Sequence, residues 1–180
     1  MNKEVVQYVG TSVLKHQCNA TVMFGTEIYV NNVLYRAHPS YRSSSEWYDY
    51  CFYKSPRMHF NRVAKLLGFF SITHDNENKE PNRTNGEQDK AAIQLQPGRY
   101  AVGVISIDTP TDISTLLSTT YMSTINDKTT KKKLSIFPLD FIKGPAYCIE
   151  NIVDPDNVPS IQEQTQVFVL KTYHEWKNLF

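Results

Sequence analysis

TVMFGTEIYV-NN-VLYRA, Thr21 to Ala37, is the stretch that decides the fold. Two runs rich in aromatic and β-branched residues flank the pair Asn31-Asn32. Such residues suit a pleated, half-buried surface. Asparagine tolerates the positive φ that a tight hairpin turn requires. The stretch therefore predicts antiparallel strands joined by a two-residue turn.

The same pattern recurs along the chain. Val5 to Leu14 holds two apolar clusters around Gly10 and reads as a strand region. So do Glu46 to Lys54 (EWYDYCFYK), Arg62 to Thr73 (RVAKLLGFFSIT) and Arg99 to Ile107 (RYAVGVISI), the last behind a Pro97-Gly98 turn. Shorter strands are expected over Leu134 to Pro138, Ala146 to Ile152 and Gln166 to Lys171. Helical signals are few. Asp112 can cap a short helix through Leu117. Tyr173, Trp176 and Phe180 fall near one face of a terminal helical turn that packs on the rest.

His74 to Lys90, HDNENKEPNRTNGEQDK, contains no apolar residue. It has nothing to bury, so a disordered insertion at 74–90 is expected. Thr124 to Lys133 and Asp154 to Gln166 read as further polar loops. Many short strands with polar turns and little helix predict a mostly β protein. The expectation is one small β-barrel spanning residues 1–180, with long polar insertions.

The 180 residues suit one domain, and 41% hydrophobic content argues against wholesale disorder. Nineteen Lys and Arg against 18 Asp and Glu leave a net charge of +1. No strong global field steers the chain toward nucleic acid or an anionic membrane. Cys18, Cys51 and Cys148 are odd in number and scattered, which disfavours a disulfide framework or a structural zinc site. Neither a signal-peptide run nor a stretch of 18 apolar residues occurs, so an intracellular protein, nuclear or cytoplasmic, with no membrane contact is expected. The sequons at Asn19 and Asn82 are read as chance matches.

Catalytic constellations are weak. His38 lies in the unusual context Tyr35-Arg36-Ala37-His38-Pro39-Ser40-Tyr41-Arg42 and could meet Cys51 or Cys148 only through the fold. No cysteine sits beside an activating motif. Asp75, Glu77 and Glu80 do not match a calcium loop, and no phosphate-binding glycine motif is present. No catalytic residue, metal ligand or cofactor is assigned.

The densest cluster is aromatic: Trp47, Tyr48, Tyr50, Phe52 and Tyr53. Alternation on one extended strand sets Trp47, Asp49, Cys51 and Tyr53 on one face and Tyr48, Tyr50, Phe52 and Lys54 on the other. One face is expected in the core, with Trp47 as its buried member. The other forms a partly open pocket with Asp49 or Glu46 at its rim. Aromatic walls with a carboxylate favour a cation, and they also suit base stacking.

Val33 to Tyr53 also carries a resemblance. The run Tyr35-Arg36-Ala37-His38-Pro39 to Tyr41-Arg42, followed by Trp47-Tyr48-Asp49, is similar to a signature of proteins from transposon-rich, diatom-like eukaryotic genomes. RVAKLLGFFSI, LSIFPLDFIKGPAYCIENI and VFVLKTYHEW resemble segments that follow it there. Their order is similar to that of bromo-adjacent-homology domains, chromatin-associated β-barrels that bind proteins. The match is discontinuous and departs at Tyr50, where the signature has a second Trp. No transposase acidic triad can be assigned. The resemblance implies a barrel of the bromo-adjacent-homology or SH3-like kind, acting as an interaction module.

The expected function is thus a non-catalytic binding module, associated with chromatin, nucleic acid or a mobile-element complex. Its expected binding residues are Tyr41, Arg42, Trp47, Tyr48, Asp49 and Tyr50. A protein is the leading partner and nucleic acid the second. The alternatives are a small Cys/His-dependent enzyme and a structural subunit of a larger assembly. Ligand, oligomeric state and biological process stay open.

Overall fold

A computed structural model describes residues 2–14, 20–41, 45–74, 95–112, 116–123, 134–151 and 164–170. The expected hairpin forms. Strands β2 (Glu27–Val30) and β3 (Val33–Tyr41) pair from Val30↔Val33 to Glu27↔Arg36. Asn31 and Asn32 adopt φ of 51° and 63°, the two positive angles of a primed hairpin turn. The first apolar run splits. β1 (Ala20–Gly25) ends before Thr26 and joins a different sheet from β2.

Helix α1 (Lys3–Val9) precedes these strands. After β3 come β4 (Ser45–Tyr48), β5 (Tyr50–Tyr53), β6 (Arg62–His74) and β7 (Gly98–Ile105). The remainder is β8 (Thr111–Asp112), β9 (Leu117–Ser123), β10 (Leu134–Pro138), a 3-10 turn at Leu139–Phe141, β11 (Ile142–Asn151) and β12 (Gln164–Leu170). All pairings are antiparallel. The large sheet runs β10-β7-β6-β5-β11-β12-β9-β8, and β1 pairs the second half of β6. The small sheet is β2-β3-β4. The protein is mostly β, as expected. The large sheet curls into a half-barrel and does not close, which corrects the expectation of a closed barrel.

β6 is the axis of this arrangement. Its two faces feed two separate cores. Val63, Leu67, Phe70 and Ile72 enter the concave core with Tyr100, Val102 and Val167. Ala64, Leu66 and Phe69 enter the other, beneath Tyr35 and Ala37 of the small sheet. A strand covered on both faces must be apolar nearly throughout, which explains RVAKLLGFFSIT. The odd residues Val63 and Leu67 and the even residues Phe70 and Ile72 share the concave core because a bulge between Leu66 and Gly68 shifts the register. Gly103 faces this bulge. A Cβ there would lie 2.4 Å from the Lys65 carbonyl oxygen, so the strands approach this closely only over glycine.

The concave core is plugged by α1. Asn2 caps the helix by accepting from the Glu4 backbone N–H at 2.9 Å. Val5 and Val9, one turn apart, are fully buried. The Tyr8 hydroxyl donates to the Leu134 carbonyl at 2.7 Å. The strand expected over Val5 to Leu14 is thus a helix continued by a wide helical turn at Gly10–Leu14.

Three more expectations change. Asp112, the expected helix cap, sits in β8 and accepts from the Ser118 hydroxyl, and Leu117, the expected helix end, opens β9; residues 113–115 between them lie outside the described residues. The single strand expected over Glu46 to Lys54 breaks at Asp49, and its halves enter different sheets. His74 ends β6 opposite Ala20, and Gln164 to Gln166 open β12. The expected insertion beyond His74, the loop at 124–133, residues 154–163 and the terminal turn at 173–180 lie outside the described residues. No helix among the described residues is long and apolar enough to cross a membrane.

Gly103→Ala is expected to destabilise the fold by about 1–3 kcal/mol, as overpacking in a closed core does. Urea unfolding measures this. An unchanged midpoint contradicts the close approach at the bulge.

Candidate functional site

The small sheet has one buried and one outward face. Tyr35 and Ala37 point into the core between the sheets. Alternation then sends Leu34, Arg36 and His38 of β3 outward, together with Glu27 and Tyr29 of β2. Trp47 of β4 joins them opposite His38. Trp47 is 45% exposed and Tyr29 66% exposed. Glu27 Oε1 lies 3.4 Å from Arg36 Nε and 3.0 Å from His38 Nε2, so one carboxylate links two basic side chains. The result is an aromatic and charged surface on a rigid sheet.

Asp49 builds this face. One of its carboxylate oxygens accepts from the Trp47 indole N–H at 2.9 Å, and the other from the Arg36 backbone N–H at 2.6 Å. Its own backbone N–H donates to the Arg36 carbonyl at 2.9 Å. Its carbonyl accepts from Leu66 N–H of β6, also at 2.9 Å. Asp49 thus joins the two sheets where the chain passes between them and fixes the indole ring. Its carboxylate is engaged inside the protein, whereas it was expected at the rim of a cation pocket.

The six expected binding residues therefore separate. Trp47 belongs to the outward face, which corrects its expected place in the core. Tyr48 is half-buried and packs against both cores. Tyr50 packs against the concave core. Tyr41 ends β3, its backbone paired with Ser45, and Arg42 lies outside the described residues. Tyr29, Glu27 and Arg36 were missed as site residues, and His38 entered only as a catalytic partner for a cysteine. Counting outward from the Asn31-Asn32 turn could have found them, because a two-residue hairpin sets Glu27 opposite Arg36.

The Tyr48 and Tyr50 rings do face a cation, and the cation is the protein's own. Lys65 Nζ lies 5.5 Å from the Tyr48 ring centre and 5.8 Å from that of Tyr50. It contacts Glu150 Oε1 at 2.6 Å, and the Tyr50 hydroxyl donates to the same oxygen. Burial pushes the Lys65 ammonium below its usual range; it pushes the Glu150 carboxyl up, with Glu46 adding to the rise. Desolvation thus works against both charges, and the short contact sets each beside its counter-charge. Glu150→Gln leaves the half-buried lysine without its counter-charge and is expected to cost about 1–3 kcal/mol in urea unfolding. The double variant Lys65→Met/Glu150→Leu is expected to recover most of that loss. Equal costs for the single and double variants contradict a coupled pair.

Neither thiol among the described residues is an activated nucleophile; Cys18 lies outside them. Cys51 is fully buried and burial pushes its thiol far up; Cys148 is pushed up to about 12 by the same cause. No cluster of metal-ligating side chains occurs among the described residues. Clefts of about 180 Å³ beside Phe24 and Phe69 and about 220 Å³ beside Tyr100 and Asp140 are shallow, smaller than ordinary ligand pockets. No known family, curated protein or solved structure matches the chain.

Proposed function

We propose that this chain is a non-catalytic protein-binding module that engages its partner through the outward face of β2, β3 and β4. One observation carries this: a large exposed ring, Trp47, is held in place by a hydrogen bond to a carboxylate that is itself anchored to the backbone. Preorganised aromatic side chains lose little entropy on binding. Trp, Tyr and Arg are the residue types that dominate interface hot spots, and Trp47, Tyr29 and Arg36 share this face. Tyr41 and Arg42, expected binding residues of the same chain segment, are not placed at the site by the described residues.

A protein is favoured over nucleic acid because Glu27 sets a carboxylate between Arg36 and His38. A phosphate backbone approaching this face meets that negative charge. The motif resemblance supports a chromatin-associated or mobile-element complex as the setting. The burial of Cys51 and Cys148, which raises both thiols, argues against either as the nucleophile of the enzyme alternative.

Affinity purification from native extract at low and high salt, with wild type and Trp47→Ala in parallel, tests the proposal. The exposed position makes a stability change within about 1 kcal/mol the expectation. Affinity for the isolated partner is expected to fall about 30-fold or more, as for a hot spot. Unchanged affinity contradicts the role of this face. Recovery of nucleic acid that high salt removes favours the second partner class.

A further inference from the structure

The turn at Asn31-Asn32 decides which backbone groups of β2 are used. Val30 and Val33 close the hairpin, so ladder bonds fall at every second pair from there. The Ala37 N–H donates to the Thr26 carbonyl at 2.7 Å, in phase with that pattern. The N–H and C=O groups of Glu27 and Tyr29 therefore point away from β3, along the outer edge of the small sheet. They bond to nothing among the described residues. The ends of the large sheet are guarded: β10 finishes in Pro138, and β8 is two residues long. β2, EIYV, carries neither proline nor lysine, and its one charge, Glu27, is drawn to Arg36 and His38.

The large sheet continues past this edge as a ledge. β2 begins beside Gly25, opposite Phe69, and β4 ends beside Tyr50, opposite Lys65. The strands of the small sheet thus succeed one another along β6, and the outer edge of β2 looks toward Ser71 and Thr73. Both lie on the same side of β6 as buried Phe69. Met23 of β1 and Arg99 of β7 pair with Ser71. Met23 is 60% exposed, and Thr73 and Arg99 are exposed too. The cleft of about 180 Å³ lies between edge and ledge, with Glu27 and Ile28 on one side and Met23, Phe69, Ser71 and Arg99 on the other. From Phe69 to Thr73 is about 13 Å, and paired strands lie about 4.8 Å apart, so one added strand fits on the ledge.

We infer that β2 takes an extended peptide segment of the partner as an added strand. The inference rests on the reading above for the class of partner, a protein, and adds the form in which it arrives. Unpaired backbone donors and acceptors on a sheet edge are answered by another extended backbone. A second folded copy pairing β2 with β2 would bring its own large sheet into the layer that this ledge already fills. Selectivity comes from alternation. The peptide side chain opposite Ile28 turns inward, into the cleft between Ile28, Phe69 and Met23, and is apolar. Arg99 makes no ion pair among the described residues, so an acidic side chain two places along, on the same side of the peptide, matches it. The other peptide side chains lie beside Tyr29 and extend the Trp47 face.

A phage-displayed library of random peptides about ten residues long, selected on the full chain, tests this. The commonest binder is then made as a free peptide. Binders are expected to share an apolar and an acidic residue at alternate positions. Arg99→Glu is expected to weaken the free peptide about tenfold, and replacing the peptide's acid by lysine is expected to restore binding. Exchange of the Glu27 and Tyr29 amides, read by NMR, is expected to be fast in the free chain and to slow at least about tenfold with the peptide bound. An absence of binders, binders indifferent to Arg99→Glu, or binding that leaves these two amides unprotected overturns the inference. Slow exchange already in the free chain also overturns it, since a segment of this chain or a second copy then fills the edge. Trp47→Ala separates the two readings. Binding that depends on Trp47 without protecting the edge amides retains the face and sinks the added strand. Undiminished affinity and amide protection in Trp47→Ala retain the added strand and sink the role of the face.

Discussion

A single strand with both faces buried, β6, is the constraint on which the rest of the structure depends. Its residues alternate between two cores, so neither side can be left to water. On one side the large sheet curls around α1. On the other, β2, β3 and β4 lie across it. Covering one strand twice gives the protein its layers without closing a barrel. The bulge between Leu66 and Gly68 reconciles the two cores by shifting which residues serve each. Gly103 makes room for it.

The candidate site follows from the same layering. A sheet laid over β6 must connect to it, and Asp49 is where the chain passes from one to the other. Its backbone bonds to both sheets, and its side chain ties down Trp47. The joint that holds the layers together is also what gives the exposed indole its fixed orientation. Lys65 shows the converse case. It belongs to a strand buried on both faces, so its charge must be answered internally, and Glu150, Tyr48 and Tyr50 answer it.

Much of the strand framework was legible because its signals are local. The Asn31-Asn32 turn, the long apolar run of β6 and the VFVL core of β12 depend on neighbouring residues alone. What was hidden depended on tertiary placement. Val5 to Leu14 is rich in β-branched residues and looked extended. The Asn2 cap and the spacing of Val5, Tyr8 and Val9 carried the helical signal, and burial against the concave sheet decided in its favour. The aromatic run Trp47 to Tyr53 gave no local sign of changing sheets at Asp49. Without that break, alternation sent Trp47 inward. The cation facing Tyr48 and Tyr50 was visible as the lone lysine inside RVAKLLGFF, but only the pairing Tyr50↔Lys65 brings it there.

Native-state hydrogen exchange along β6 tests the central claim most directly. If β6 is the doubly covered axis, amides from Val63 to Ile72 exchange only through global unfolding. Their opening free energy then equals the stability measured by denaturant, while β2 and β4 open more easily. Amides of β6 that open well below the global value, while those of β12 or β9 do not, would contradict the account.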